Sequence, residues 1–99
     1  MQTTIHPVGF YADNKLEEYI YKKLSKLDSF HSQIINADVY LKLESHEQVK
    51  DKVVEIKINL PGVTLFAAET AKTFEESTDM AVESIGRQVI RRKEKEKNI

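Results

Sequence analysis

The sequence predicts an α+β fold: a two-layer sandwich of order β-α-β-β-β-α, with two helices on one face of a four-stranded mixed sheet. Three observations predict it. Apolar and polar residues alternate with period two through the middle of the chain, and apolar residues at helical spacing lie on either side of that region. The length, 99 residues, is enough for one domain to bury about two-thirds of its unfolded surface. With only two helices to cover a sheet, the second face is left to water.

Gln2–Val8 reads as a short strand, and Pro7, which has no N–H for a ladder, places it at a sheet edge. Asp13 suits the N-cap of a first helix from about Asn14 to Ser29. Leu16, Tyr19, Ile20, Leu24 and Leu27 form its core face, and Phe30 packs as the chain leaves it. Ala37, Val39, Leu41 and Leu43 alternate with Asp38, Tyr40, Lys42 and Glu44 in a second strand with one buried side. The polar stretch "SHEQVKDK" reads as a connection, after which Val54, Ile56 and Ile58 alternate with Glu55, Lys57 and Asn59 in a third strand.

Leu60-Pro61-Gly62-Val63 is a turn, because proline presets φ at one central position and glycine accepts positive φ at the next. Val63 to Thr70 returns as the fourth strand. Thr73-Phe74-Glu75-Glu76 fits a capping box opening a long second helix. Phe74, Thr78, Ala81, Ile85 and Val89 share its inner face. Tyr21 is expected on the surface, and Met80 and Ile90 lie off the core stripe, where they fill the helix seam or meet a partner.

Composition narrows the function classes. Apolar residues at 40% and charged residues at 31% are those of a soluble globular chain. No apolar run approaches the ~20 residues of a spanning helix, and the start lacks the basic leader and apolar core of a secretion signal. The absence of cysteine removes disulfides, a thiol nucleophile and thiolate metal ligands, and suits a cytoplasmic protein. His6, His31 and His46 lack metal-site spacing and are expected at the surface or in local hydrogen bonds. Gly9, Gly62 and Gly86 are isolated and form no phosphate loop. Nothing predicts an enzyme, a cofactor, a metal or a small-molecule substrate.

The net charge is only −1, so any electrostatic function has to be local. In the second helix it is. Between Phe74 and Gly86 the charged residues are Glu75, Glu76, Asp79 and Glu83, whereas Arg87, Arg91, Arg92, Lys93, Lys95 and Lys97 outweigh Glu94 and Glu96 beyond them. Complementing the helix dipole explains cations in the last turn, at about 0.3–1 kcal/mol each, but not Arg87, which lies further in. Arg87, Arg91 and Lys95 form one stripe opposite Ile85 and Val89. Like charges at this spacing repel slightly, so an anion would stabilise them. In the first helix, Lys15, Lys22 and Lys26 share a stripe beside the apolar face, with Lys23 nearer its edge. Side by side, the helices are expected to present these cations along one groove suited to a phosphate backbone.

Two RNA-binding folds fit poorly. A double-stranded RNA-binding domain places lysines at the start of its last helix, which here is acidic. An RNA-recognition motif stacks bases on sheet aromatics, whereas the open face here offers Asp38, Lys42, Glu44, Glu55 and Lys57, with Tyr40 as its clear aromatic. The alternative to RNA binding is a protein-interaction or regulatory module with Met80 and Ile90 in its interface.

The chain resembles the ribosome hibernation-promoting factors, or ribosome-associated inhibitors, in their short single-domain form. The resemblance is carried by "MQTTI", "KKLSKLDSF", "VYLKLE" and "IGRQVIRRKEK", and is most specific at Arg87-Gln88 and the basic positions after it. It implies the same β-α-β-β-β-α fold over residues 1–99 as a single ribosome-binding domain. It also implies binding to ribosomal RNA of the small ribosomal subunit, in the channel between head and body. Inhibition would be steric, by occlusion of mRNA and of the A- and P-site tRNA positions in stationary phase or stress. Off the ribosome a monomer is expected, without membrane contact. Carried over by position, the RNA-binding residues are Lys23, Lys26, Arg87, Arg91, Lys93 and Lys95, with Lys22 and Arg92 as local additions. The chain departs from the family at Glu75, where an aromatic is common, and at Ser84, where a lysine often extends the stripe. The resemblance to the short form leads to the expectation that the extra C-terminal domain of long forms is lacking.

Overall fold

A computed structural model describes residues 1–46 and 49–97. The elements are β1 (Gln2–Pro7), α1 (Asn14–Ser25), a 3-10 turn (Lys26–Ser29), β2 (Asn36–His46), β3 (Val49–Leu60), β4 (Val63–Ala71) and α2 (Phe74–Lys97). The sheet order is β1-β2-β3-β4, with β1 parallel to β2 and the other pairs antiparallel. The α+β sandwich with a four-stranded mixed sheet is therefore as the sequence predicts, and Pro7 lies on an edge strand. A parallel β1–β2 pair needs a crossover, and α1 is that crossover.

Period-two alternation sets which sheet face is covered. Register pairs Ala37 with Ile58, Val39 with Ile56 and Leu41 with Val54, so one face carries a continuous apolar surface. On it lie Leu16, Ile20 and Leu24 of α1, Leu27 of the 3-10 turn, and Ala81, Ile85 and Val89 of α2, all buried. Phe30 packs against this core from its margin. Asp13 caps α1 by accepting the Leu16 N–H at 2.8 Å, and Thr73 Oγ1 accepts the Glu76 N–H at 3.1 Å at the start of α2. Gly62, at φ 78°, closes the β3–β4 turn with Pro61.

The structure departs from the sequence reading at four places. The first helix ends its α-helical part at Ser25 and tightens into a 3-10 turn, a common way for a helix to finish. β2 and β3 extend into the polar "SHEQVKDK" stretch, pairing Glu44 with Asp51 and Ser45 with Lys50; its residues 47 and 48 lie outside the described residues. Ladder hydrogen bonds satisfy that backbone whatever its side chains are, so polarity alone does not end a strand. Leu43, expected on the buried face, is 40% exposed. Its partner is Lys52, where the hairpin has passed the core pairs Val39–Ile56 and Leu41–Val54. Tyr19, expected in the core, is half-buried with its hydroxyl bonded to Asp79.

Ser77, on the inner face of α2, is buried and satisfied: its hydroxyl donates to Lys52 O at 2.6 Å and Thr73 O at 3.0 Å. Thr78 differs. Its Oγ1 is buried with no hydrogen-bond partner among the described residues. Such an atom costs about 1–3 kcal/mol of desolvation. Thr78→Val, which keeps the shape and removes the hydroxyl, should therefore raise unfolding stability by about 1 kcal/mol or more in urea denaturation; a destabilised variant would mean that the hydroxyl is satisfied.

Candidate nucleic-acid interface

The two helices run side by side in the same direction, as three contacts in ascending order show. Tyr19 bonds to Asp79, Leu27 and Phe30 close over Gly86, and His31 bonds to Glu96. Gly86 lets the helices approach: a Cβ there would stand 3.6 Å from Leu27 Cδ2 and 3.7 Å from Phe30 Cε2, so a side chain longer than alanine would separate them.

These contacts fix which side of α2 each cation occupies. Asp79 and Gly86 mark the flank facing α1, and Lys93, seven residues beyond Gly86, returns to it at about 100° per residue. Gln88 marks the opposite flank, donating from Nε2 to Phe66 O on β4 at 2.8 Å. Arg91 and Lys95, three and seven residues further on, share that flank. Arg87 lies outward, exposed between the two. The sequence-predicted cations thus do not converge on one ridge. Apart from Arg92, which follows buried Ile85 by seven residues on the inner line, those of α2 spread over its outward side, because Arg91 and Lys93 are two residues apart and so point to opposite flanks of one helix.

Three of the predicted residues are engaged with carboxylates. Lys23 lies 3.5 Å from Asp79 and over the Tyr19 ring, 5.4 Å from its centroid. Arg87 pairs with Glu83 at 2.9 Å, one turn earlier. Arg92 Nε donates to Glu96 Oε1 at 3.1 Å. Among the described residues, Lys22, Lys26, Arg91, Lys93 and Lys95 form no ion pair, and all five are exposed. The acidic and basic halves of α2 therefore face the α1 side differently: Asp79 meets Lys23, while Lys93 lies beyond, beside His31, Ser32 and Gln33 of the loop after the 3-10 turn.

Two networks hold the layer's shape. In the first, Tyr19 donates to Asp79 at 2.6 Å across the helix seam. This bond pushes the phenol up to about 12, aided by burial and by the charges of Asp79 and Glu75. The second involves His31, expected at the surface or in local hydrogen bonds; it is 5% exposed and makes such a bond. Its Nδ1 accepts the Gln33 N–H at 3.1 Å, so the neutral ring carries its proton on Nε2, which donates to Glu96 Oε2 at 3.0 Å. That bond, opposed by burial and reinforced by Arg92, holds the Glu96 carboxyl below its ordinary value. Glu96 thereby ties the last turns of α2 to the loop after the 3-10 turn. His31, Ser32, Gln33, Lys93, Glu96 and Lys97 line a notch of about 210 Å³ beside this tie. Lys97 is not among the sequence-predicted RNA-binding residues, although it follows Lys93 at i+4, and nothing in the sequence signals the His31–Glu96 pairing.

Residues 3–97 match the family described as sigma 54 modulation protein / S30EA ribosomal protein. A ribosome hibernation promoting factor of Pseudomonas putida is 25% identical over 99 residues, spanning 100% of this chain and 93% of that protein. The N-terminal domain of Thermus thermophilus Protein Y superposes with a TM-score of 0.81 at 26% identity, covering 92% of this chain and 98% of that one. A ribosomal subunit interface protein from Coxiella burnetii also gives 0.81, at 20% identity over 94% and 98% of the two chains, and so shares the fold.

The Tyr19–Asp79 bond makes a prediction. Since it favours the neutral phenol, its stabilisation is complete below pH 10 and is lost as pH rises towards 12. An absorbance titration of phenolate formation should show one tyrosine ionising near 12, and Asp79→Asn should bring it back towards 10. An unchanged titration in that variant would contradict the assignment.

Proposed function

This chain belongs to the sigma 54 modulation protein / S30EA ribosomal protein family, and from that premise we propose that it is a ribosome hibernation factor. It binds the small ribosomal subunit in the channel that mRNA and tRNA occupy and inhibits translation by filling that space during stationary phase or stress. The family match over residues 3–97 carries this reading. The helix layer supplies its physical means: Lys22, Lys26, Arg91, Lys93 and Lys95 are exposed and unpaired among the described residues, so each can meet a phosphate without first losing a carboxylate.

Lys23, Arg87 and Arg92 belong to the same surface in a second capacity. Exposed ion pairs are worth about 0–1 kcal/mol, so an RNA phosphate can take Lys23 from Asp79 or Arg87 from Glu83 at little cost. Arg92, held by Glu96, shapes the end of the helix. The action is steric and electrostatic, with no covalent step, cofactor or small-molecule substrate. No helix among the described residues is long and apolar enough to cross a membrane, and the reading is of a cytoplasmic monomer that docks on ribosomes.

Sucrose-gradient sedimentation with small subunits tests this. Arg91→Glu, Lys93→Glu and Lys95→Glu combined, and Lys22→Glu with Lys26→Glu separately, should each shift the chain from the subunit peak to the top of the gradient. Circular dichroism should show both variants folded. Full co-migration of both folded variants would overturn the surface.

A further inference from the structure

The uncovered sheet face carries a row of side chains that the helix layer's chemistry does not use. Register places His6 opposite Tyr40 and Lys57 opposite Phe66, and Tyr40 opposite Glu55, two residues before Lys57. His6, Tyr40, Lys57 and Phe66 therefore cross all four strands on one face. The His6 and Tyr40 rings are stacked, 4.6 Å between centroids and 17° from parallel. The Lys57 ammonium lies 5.5 Å from the Tyr40 centroid. Phe66 is 46% exposed, an apolar ring left open to solvent.

Two carboxylates beside this row already have partners. Asp38 bonds to His6 at 2.9 Å and Glu55 to Lys42 at 3.1 Å, whereas Lys57 has no carboxylate partner among the described residues. What remains is a cation between two aromatic rings, on strands rather than loops, with Asp38 across from it on β2 but no ion pair of its own among the described residues. The platform is held: Phe66 lies in the β3–β4 ladder and its carbonyl accepts from Gln88 of α2.

We propose that this row is a second RNA-binding surface, where an unpaired nucleobase stacks on the open Phe66 ring while Lys57, held beside Tyr40, takes the adjoining phosphate. A nucleotide joins a flat π-face to an anion, and the row presents both complements side by side. Binding of this kind is tolerant of sequence, since every base offers a π-face. It lies on the layer opposite the helix cations and is separate from the reading given for them. A domain with contacts on both layers holds RNA on two sides.

The test uses the whole chain, isotope-labelled and without ribosomes, titrated with a short single-stranded oligouridine and with an abasic ribose-phosphate oligomer of equal length. The oligouridine should shift the amide resonances of His6, Tyr40, Lys57 and Phe66; the abasic oligomer should not. Phe66→Ala should weaken oligouridine binding about 5- to 150-fold, and Phe66→Leu, which keeps apolar bulk without a ring, should weaken it too. Shifts confined to the helices, an equal response to the abasic oligomer, or full affinity in Phe66→Leu would each overturn the proposal. Concentration-dependent shifts of these residues without RNA would assign the face to a second copy and overturn it as well. Because no ribosome is present and the helix layer is unaltered, failure here leaves the proposed function standing.

Discussion

The sheet has one apolar face, and the arrangement of charge follows from that constraint. The pairs Ala37–Ile58, Val39–Ile56 and Leu41–Val54 give both helices the same surface to cover. Each helix then spends one stripe on the core and presents the remainder outward. Burying a side chain such as Ile20 or Ile85 is worth about 1.5–3 kcal/mol, whereas like-charge repulsion between exposed neighbours costs only a few tenths. Packing therefore decides the geometry, and the cations occupy the positions that packing leaves.

This hierarchy accounts for the difference between a groove and a spread surface. A helix docked by Ile85 and Val89 has no freedom to rotate Arg91 and Lys93 to one side, so its basic half faces two ways. One flank adjoins the notch beside His31 and the other adjoins β4. The seam between the helices is sealed at Gly86 and bridged by Tyr19, Asp79 and Lys23. A phosphate backbone that engages the layer must accordingly cross α2 as well as lie along it. The tie from Glu96 to His31 and Arg92 keeps the last turns of the helix in place against fraying.

Much of the fold is legible in the sequence because alternation, capping and the Pro61-Gly62 turn are local signals. Asp13, Thr73 and Gly62 do what their residue types suggest, and the inner faces of both helices follow from periodicity. Tyr19 misled because an aromatic at a core spacing can end in a polar hydroxyl that reaches a partner sixty residues away. Leu43 misled because alternation reports a strand's sidedness and not how far the covering layer extends. The charge segregation of α2 is legible in the sequence, whereas its division between two flanks depends on the contacts of Gln88 with β4 and of Gly86 with Leu27 and Phe30. His31–Glu96 and the His6–Tyr40–Lys57–Phe66 row depend on pairing between distant segments, which no single stretch of sequence contains.

The central claim is that unpaired helix-layer cations bind ribosomal phosphates, and the salt dependence of the equilibrium constant for small-subunit binding tests it most directly. Displacement of counterions from about five phosphates, one for each of Lys22, Lys26, Arg91, Lys93 and Lys95, predicts a log–log slope of about −4. A slope of about −1 or flatter would contradict the claim, because binding would then rest on contacts that release almost no counterions.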